Sequence, residues 1–214
     1  MHHIRQLHAH NIPVVFCHRK VEGAMAPHIT WSWEKVGRMV GEALVQRGHR
    51  RVGYFSVYRY PVPEAYEKGL RDALEAHGVA LPPSNVHYAP RQEDLNNEQI
   101  RLEALKRMLA QKDAPTAIFC SDDVEAEMVY LLATHMGYKV PQQLSLVGFG
   151  GTWRSGAVRE RLASVVVNEQ ELGMRAAKIL HEIRTGRRRL DSDKQILMPL
   201  SLLAGQTLGP SPAG

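Results

Sequence analysis

Along the whole chain, short apolar runs alternate with segments whose apolar residues recur every three or four positions. The runs at Ile12 to Cys17, Arg51 to Ser56, Val86 to Ala89, Thr116 to Cys120, Leu144 to Phe149, Leu162 to Val167 and Gln195 to Leu203 predict strands. Between them lie five helical patterns. The first opens at Ser32, turns Val36, Val40, Ala43 and Leu44 inward, and closes at Gly48. The second starts at Pro63, buries Leu70, Ala73 and Leu74, and stops at Gly78. A third, from Glu98 to Gln111, buries Leu102, Leu105, Met108 and Leu109. A fourth is capped by Asp122, carries Val124, Met128, Leu131, Leu132 and His135 on its expected inner face, and closes at Gly137. The last is capped by Asn168, with Glu171 placed for a capping box, and buries Leu172, Ala176, Ile179, Leu180 and Ile183.

This rhythm predicts an α/β fold of parallel sheets flanked by helices. Ligands of such sheets bind beyond the carboxyl ends of the strands. The loops that matter are therefore His18 to Glu22, Val57 to Glu64, Tyr88 to Glu93, Ser121-Asp122 and Gly150 to Ser155.

Composition narrows the classes without choosing among them. The 214 residues are 44% apolar and 23% charged, with no low-complexity tract and no apolar run near the roughly 20 residues of a membrane helix. The start, Met1 to Gln6, lacks the apolar core of a secretion signal, which points to the cytoplasm. Cys17 and Cys120 sit in strand-like runs without CxxC spacing and are expected as buried free thiols. The net charge of +5 is scattered except at Arg187-Arg188-Arg189, which reads as a solvated turn or a phosphate contact.

No enzyme signature stands out. Gly148-Phe149-Gly150-Gly151-Thr152 lacks both the ending of a phosphate loop and the third glycine of a dinucleotide fingerprint, so it reads as a turn at a strand end. His2, His3, His8 and His10 have no carboxylate or cysteine set to complete a metal site. Asp122 caps a helix or meets a polar ligand. No cofactor and no metal are expected.

Several stretches in order resemble the sensor domain of the lac repressor and purine repressor family. Ile12 to Arg19 is similar to its strand ending in Asp-Arg. Gly37-Arg38 through Gly48-His49-Arg50-Arg51-Val52-Gly53-Tyr54 is similar to its helix-to-strand passage "GHRRIA". Gly69 to Leu74 resembles "GFRAAL", and Ala117 to Asp122 resembles "AIFAxND". Gly137 to Pro141 with Leu144 to Phe149 resembles "GxxVPxDISVVGFDD". Leu162 to Val165 and Glu171-Leu172-Gly173 stand where "LTTV" and "ELG" do.

The resemblance implies a two-lobed, periplasmic-binding-protein-like sensor with its first lobe incomplete, the ligand entering an inter-lobe cleft. Residues 1–49 with 166–190 would form the partial first lobe, 50–165 with 191–208 the second, and 209–214 a tail. It implies a non-enzymatic bacterial transcription regulator of the cytoplasm, with a small polar, sugar-like effector. The ligand candidates are Asp122, Tyr66, Arg59, Tyr60, Trp153, Gly150, His18 and Tyr88. A homodimer face is expected at Met128, Tyr130, Leu131 and Leu132, with DNA met only through a helix-turn-helix missing from this N-terminally incomplete sequence. Tyr66 stands where many members carry an arginine, Gly150-Gly151 replace paired aspartates, and His18 replaces the aspartate of Asp-Arg. Much of the family's charged fork is thereby lost, leaving aromatic candidates in its place, Tyr58 among them. A periplasmic-type solute receptor is the alternative. An α/β enzyme using His18, Asp122 and Arg59 is the more remote one.

Overall fold

A computed structural model describes residues 2–19, 21–89, 98–151, 162–189 and 194–212. The chain divides into two compact units: Met1–Ser32 with Val167–Leu200, and Trp33–Val166 with Ser201–Gly214.

In the larger unit, β3 (Val52–Phe55), β4 (Val86–His87), β5 (Ala117–Cys120), β6 (Ser145–Gly150), β7 (Ala163–Val167) and β9 (Leu200–Leu203) form one sheet, ordered β4-β3-β5-β6-β7-β9. The pairings from β4 through β7 are parallel. All of β3 and β5 is buried, as strands covered on both faces must be. One face, with Phe55, Ile118, Cys120 and Leu146, packs under Leu105, Met108 and Leu109 of α4 (Glu98–Leu109) and Ala126, Val129 and Ala133 of α5 (Asp123–His135). On the other, the Tyr54 ring meets Phe119 at 5.5 Å and its hydroxyl donates to the Pro63 carbonyl of α3 (Pro61–Glu75) at 2.9 Å. Helix α3 lies against α2 (Trp33–Gln46), which buries Val36, Val40, Ala43 and Leu44 as its periodicity requires. A Cβ on Gly37 would overlap the Tyr66 carbonyl oxygen, and one on Gly69 would overlap that of Glu34. The two helices therefore touch backbone to backbone.

In the smaller unit, β1 (Phe16–Cys17), β2 (His28–Thr30) and β8 (Gln195–Leu197) pair in parallel in that order, accompanied by α1 (His2–Ala9) and α6 (Glu169–Arg184). Asn168 caps α6 by accepting from the Glu171 N–H at 2.9 Å. The Glu171 carboxylate is engaged by Arg175, one turn on, not by the reciprocal half of a capping box.

Several expectations are corrected by packing. The helix at 33–46, expected with the first lobe, joins the larger unit because its glycines admit α3. The extended stretch from Gln195 to Leu203 is two strands serving different sheets, parted at Met198-Pro199. Its first half therefore falls in the smaller unit, not with residues 50–165. Strand β2 has no counterpart among the sequence expectations, being a three-residue run too short to show a period. On α5 Ala126, Val129 and Ala133 face the sheet, which leaves Val124, Leu131 and His135 exposed instead of inward. Cys120 is buried as expected, but Cys17 is exposed.

At the amino-terminal end of the large sheet, His49 is fully buried. Its Nε2 faces the Gly209 carbonyl at 3.2 Å and its Nδ1 the Thr116 hydroxyl at 2.8 Å. A neutral ring carrying its proton on Nε2 satisfies both, and burial lowers the pKa in favour of that form. His49→Phe keeps the volume but removes both hydrogen bonds, leaving Thr116 only its longer contact to the Arg51 carbonyl at 3.3 Å and Gly209 the Ser145 hydroxyl at 3.5 Å. It is expected to cost about 2 kcal/mol in urea unfolding, and an unchanged midpoint would contradict this role.

Candidate functional site

Parallel pairing puts the carboxyl ends of β3, β4, β5 and β6 along one edge of the large sheet. At those ends, in the same order, stand Ser56 to Tyr60, Tyr88, Ser121-Asp122, and Gly150-Gly151. Five of the eight predicted ligand residues, Arg59, Tyr60, Tyr88, Asp122 and Gly150, therefore share this rim. Tyr66 does not line it openly: only 2% exposed, its ring packs against Phe149 at 5.1 Å, so it is part of the floor. Trp153 lies outside the described residues. His18 belongs to the smaller unit. There its φ is +69°, its ring stacks on Trp31 at 4.2 Å, and its carbonyl accepts from His28 Nε2 and the Thr30 hydroxyl. Burial, then the Arg19 charge, lowers the His18 pKa and keeps the ring neutral.

The rim has a cationic and aromatic corner. Ser56 Oγ accepts the Tyr58 N–H and donates back to the Tyr58 carbonyl, turning the chain sharply after β3. That turn sets the Arg59 guanidinium 5.4 Å over the Tyr88 ring and 3.4 Å from Glu64. Tyr58 and Tyr60 lie 5.6 Å apart, and Tyr60 is the residue before α3. The Tyr88 hydroxyl donates to Glu67 Oε2 at 2.8 Å, while Glu67 Oε1 is held by Arg71 at 2.6 Å. Burial and that acceptor push the Tyr88 phenol far above its ordinary value, so it stays a neutral donor.

On the acidic side two neighbouring aspartates divide the work, the first as the cap expected of it. Asp122 Oδ1 accepts the Glu125 N–H at 2.9 Å, so one of its oxygens caps α5. The neighbouring Asp123, which is not among the ligand candidates, lays its carboxylate across β6. There it accepts from Ser164 Oγ on β7 at 2.7 Å and from the Gly151 N–H. It can do so because β6 carries Gly148 at the crossing, where a Cβ would run into Asp123 Oδ1. A glycine inside a strand is the sequence sign of such a close approach.

Two cavities lie elsewhere in the larger unit. One of about 440 Å³ flanks β4, lined by Ser84, Val86, His87, Ala104, Arg107, Met108 and Gln111. The other, about 420 Å³, adjoins Tyr130, Val140, Pro141, Gln142, Gln206 and Thr207. Among the described residues no group of three histidine, cysteine or acidic side chains could hold a metal ion. None of their helices is long and apolar enough to cross a membrane. Of the residues expected at a dimer face, Leu131 is exposed, and Met128, Tyr130 and Leu132 are half-buried.

Comparison with known proteins gives this rim its context. Residues 42–208 match the family described as Periplasmic binding protein-like domain. Catabolite control protein A from Priestia megaterium is 28% identical over 180 residues, 83% of this chain and 53% of that one. The HTH-type transcriptional repressor PurR from Mannheimia succiniciproducens is 28% identical over 148 residues, 68% of this chain and 42% of that one. The chain thus spans about half the length of the curated relatives it matches. Among solved structures, a transcription regulator from Lactobacillus plantarum superposes with a TM-score of 0.80 at 20% identity, covering 97% of this chain and 76% of its own. The transcriptional regulator CelR in complex with cellobiose does so at 0.77 and 18%, covering 95% and 61%. A LacI family regulator from Enterococcus faecium with bound ribose does so at 0.74 and 19%, covering 96% and 74%. At such identities these structural likenesses speak for the fold. With its parallel sheet and its match over residues 42–208, the chain belongs to the family of periplasmic binding protein-like domains, and its sequence is similar to catabolite control protein A and the purine repressor.

Proposed function

We propose that this chain is the effector-sensing domain of a lac-repressor-type transcription regulator, and that it binds a small polar molecule without transforming it. The observation that carries the reading is the rim itself. Four adjacent parallel strands deliver Arg59, Tyr60, Tyr88, Asp122 and the Gly150-Gly151 turn to one edge, the binding edge of open α/β sheets. A cation, aromatic rings and a carboxylate suit a polyhydroxylated ligand with one apolar face, and a sugar has that chemistry. The cellobiose and ribose held by two structural neighbours support the same class.

Binding would act by differential affinity for two arrangements of the regulator, the only means by which a ligand shifts such an equilibrium. We assign dimer formation to the stripe Val124, Met128 and Leu131 on α5, with Tyr130 and Leu132 beside it. DNA contact is assigned to a helix-turn-helix outside these 214 residues. Calorimetric titration of the folded chain with ribose, cellobiose, polyols and purines is expected to give saturable binding of at least one, in the micromolar range. Arg59→Ala should weaken it about tenfold, through loss of a charge-assisted contact worth roughly 1.5 kcal/mol. Silence across the panel, with the chain folded, would remove the proposal.

A further inference from the structure

We infer that Asp123 is the positioning residue of the binding rim, holding the Gly150-Gly151 turn in its shape although it touches no ligand itself. The inference rests on the effector-sensing reading for its functional consequence, while its structural half stands apart from it. Three observations converge on the one carboxylate. It accepts the Gly151 N–H at the strand end and the Ser164 hydroxyl one strand further on. It passes over β6 where Gly148 leaves no Cβ in its way. The turn it grips has φ values of +128° at Gly150 and +59° at Gly151, a conformation that side chains other than glycine rarely adopt. A Cβ on Gly151 would also overlap Val166, so the turn is pressed against β7.

The chemistry explains why a carboxylate is used. Two adjacent left-handed glycines are entropically loose and carry no side chain of their own to anchor them. An ionised acceptor makes shorter and stronger bonds than a neutral one, and two donors from different strands fix its plane. The rim opposite Arg59 and Tyr88 is thus shaped through backbone rather than through projecting side chains, and the anchor for that backbone is Asp123. Its partner Asp122 serves the helix instead.

The test uses the full 214-residue chain, with Asp123→Ala and Ser164→Ala compared with the wild type and with Asp113→Asn at an exposed distant acid. Two readouts are taken: hydrogen exchange of the Gly151 amide by NMR, and calorimetric binding of ribose and cellobiose. Asp123→Ala is expected to speed Gly151 exchange at least tenfold, with the amides of Val52–Phe55 and Ala117–Cys120 unchanged, and to weaken sugar binding at least tenfold. Ser164→Ala should do both by about threefold, and it decides the matter if Asp123→Ala loses protection throughout. Unchanged Gly151 exchange in both variants overturns the inference, as does unchanged affinity where the wild type binds. If the wild type binds neither sugar but Gly151 exchange responds, the anchoring holds and it is the sugar reading that fails.

Discussion

Gly69→Ala is expected to cost at least about 3 kcal/mol of folding stability, the upper end of what overpacking usually costs. By helix propensity alone the change should gain roughly 0.5 to 1 kcal/mol, because glycine inside a helix is entropically expensive. Packing reverses the sign. A Cβ at Gly69 would enter the Glu34 carbonyl, one at Gly37 would enter the Tyr66 carbonyl, and one at Gly41 would come 2.7 Å from Ala73 Cβ. The obstacle at both Gly37 and Gly69 is backbone, which has no rotamer by which to retreat, so α2 and α3 must separate. Leu44, Leu70 and Leu74 are all fully buried in this region and would lose cover together. Gly173→Ala on α6 is the control. Nothing lies within 4 Å of a Cβ there, so propensity should win and the variant should gain roughly 0.5 to 1 kcal/mol. Urea unfolding of the two variants should move in opposite directions. If Gly69→Ala proves as harmless as Gly173→Ala, the backbone contact between the helices does not exist as described.

That crossing also shows what a sequence can and cannot display. The period of Val36, Val40, Ala43 and Leu44 identifies the buried face of α2, because burial on a helix repeats every 3.6 residues whatever lies opposite. It does not say what lies opposite, and so the sequence alone leaves α2 in the other lobe. Caps are local and legible: Asn168 and Asp122 each accept the N–H three residues on. On α5 the period misleads, because two apolar stripes compete. Val124 and Leu131 are exposed, while Ala126, Val129 and Ala133 lie against the sheet. The split at Met198-Pro199 is hidden because each half, read alone, has the alternation of one continuous strand.

The proposed rim obeys the same division. That these strand ends share one edge is legible, since in a parallel sheet it follows from chain order, and five of the residues named from the sequence stand there. The part played by each residue is not. Tyr66 looks like a ligand contact by its place in the sequence, yet it is buried against Phe119 and Phe149. Asp122 and Asp123 are adjacent acids that a sequence cannot separate. Backbone direction separates them: Asp122 is extended at the cap, and Asp123, the first helical residue, turns back over β6. Gly148 is the one available sign, and a mid-strand glycine without a known neighbour names no partner.

Replacing Glu125 by glutamine is expected to stabilise the chain by about 2 kcal/mol at pH 8 and to leave it unchanged at pH 4.5. Glu125 is 3% exposed in the first turn of α5, with Arg101 Nε of α4 3.3 Å from its Oε1. Burial pushes its carboxyl up to about 7. Arg101 pulls it down, and Asp122 nearby pushes it up. The folded state therefore holds this proton more tightly than the unfolded chain, whose carboxyl titrates near 4.5. Stability from this group is complete below pH 4.5 and is lost as pH rises through 7. A gap of this size is worth roughly 3 kcal/mol at 1.36 kcal/mol per unit. Partial water access and the loss of Arg101's charged partner reduce that to about 2 kcal/mol. Glutamine copies the protonated form and still offers Arg101 an acceptor oxygen. His87, on β4, works in the opposite sense: burial, then Arg107 and Arg101, bring its pKa down to about 4. Its contribution is present above 6.5 and lost as pH falls toward 4. Between about 4.5 and 6.5 the two slopes oppose each other in the wild type, so its stability should be nearly flat there and decline toward pH 8. Glu125→Gln should uncover the His87 slope, rising from pH 4.5 to 6.5 and then holding level. Urea midpoints collected at half-unit intervals distinguish these shapes. If the two proteins trace parallel curves across that range, Glu125 is ionised in the fold at ordinary cost and its burial against Arg101 carries no such penalty.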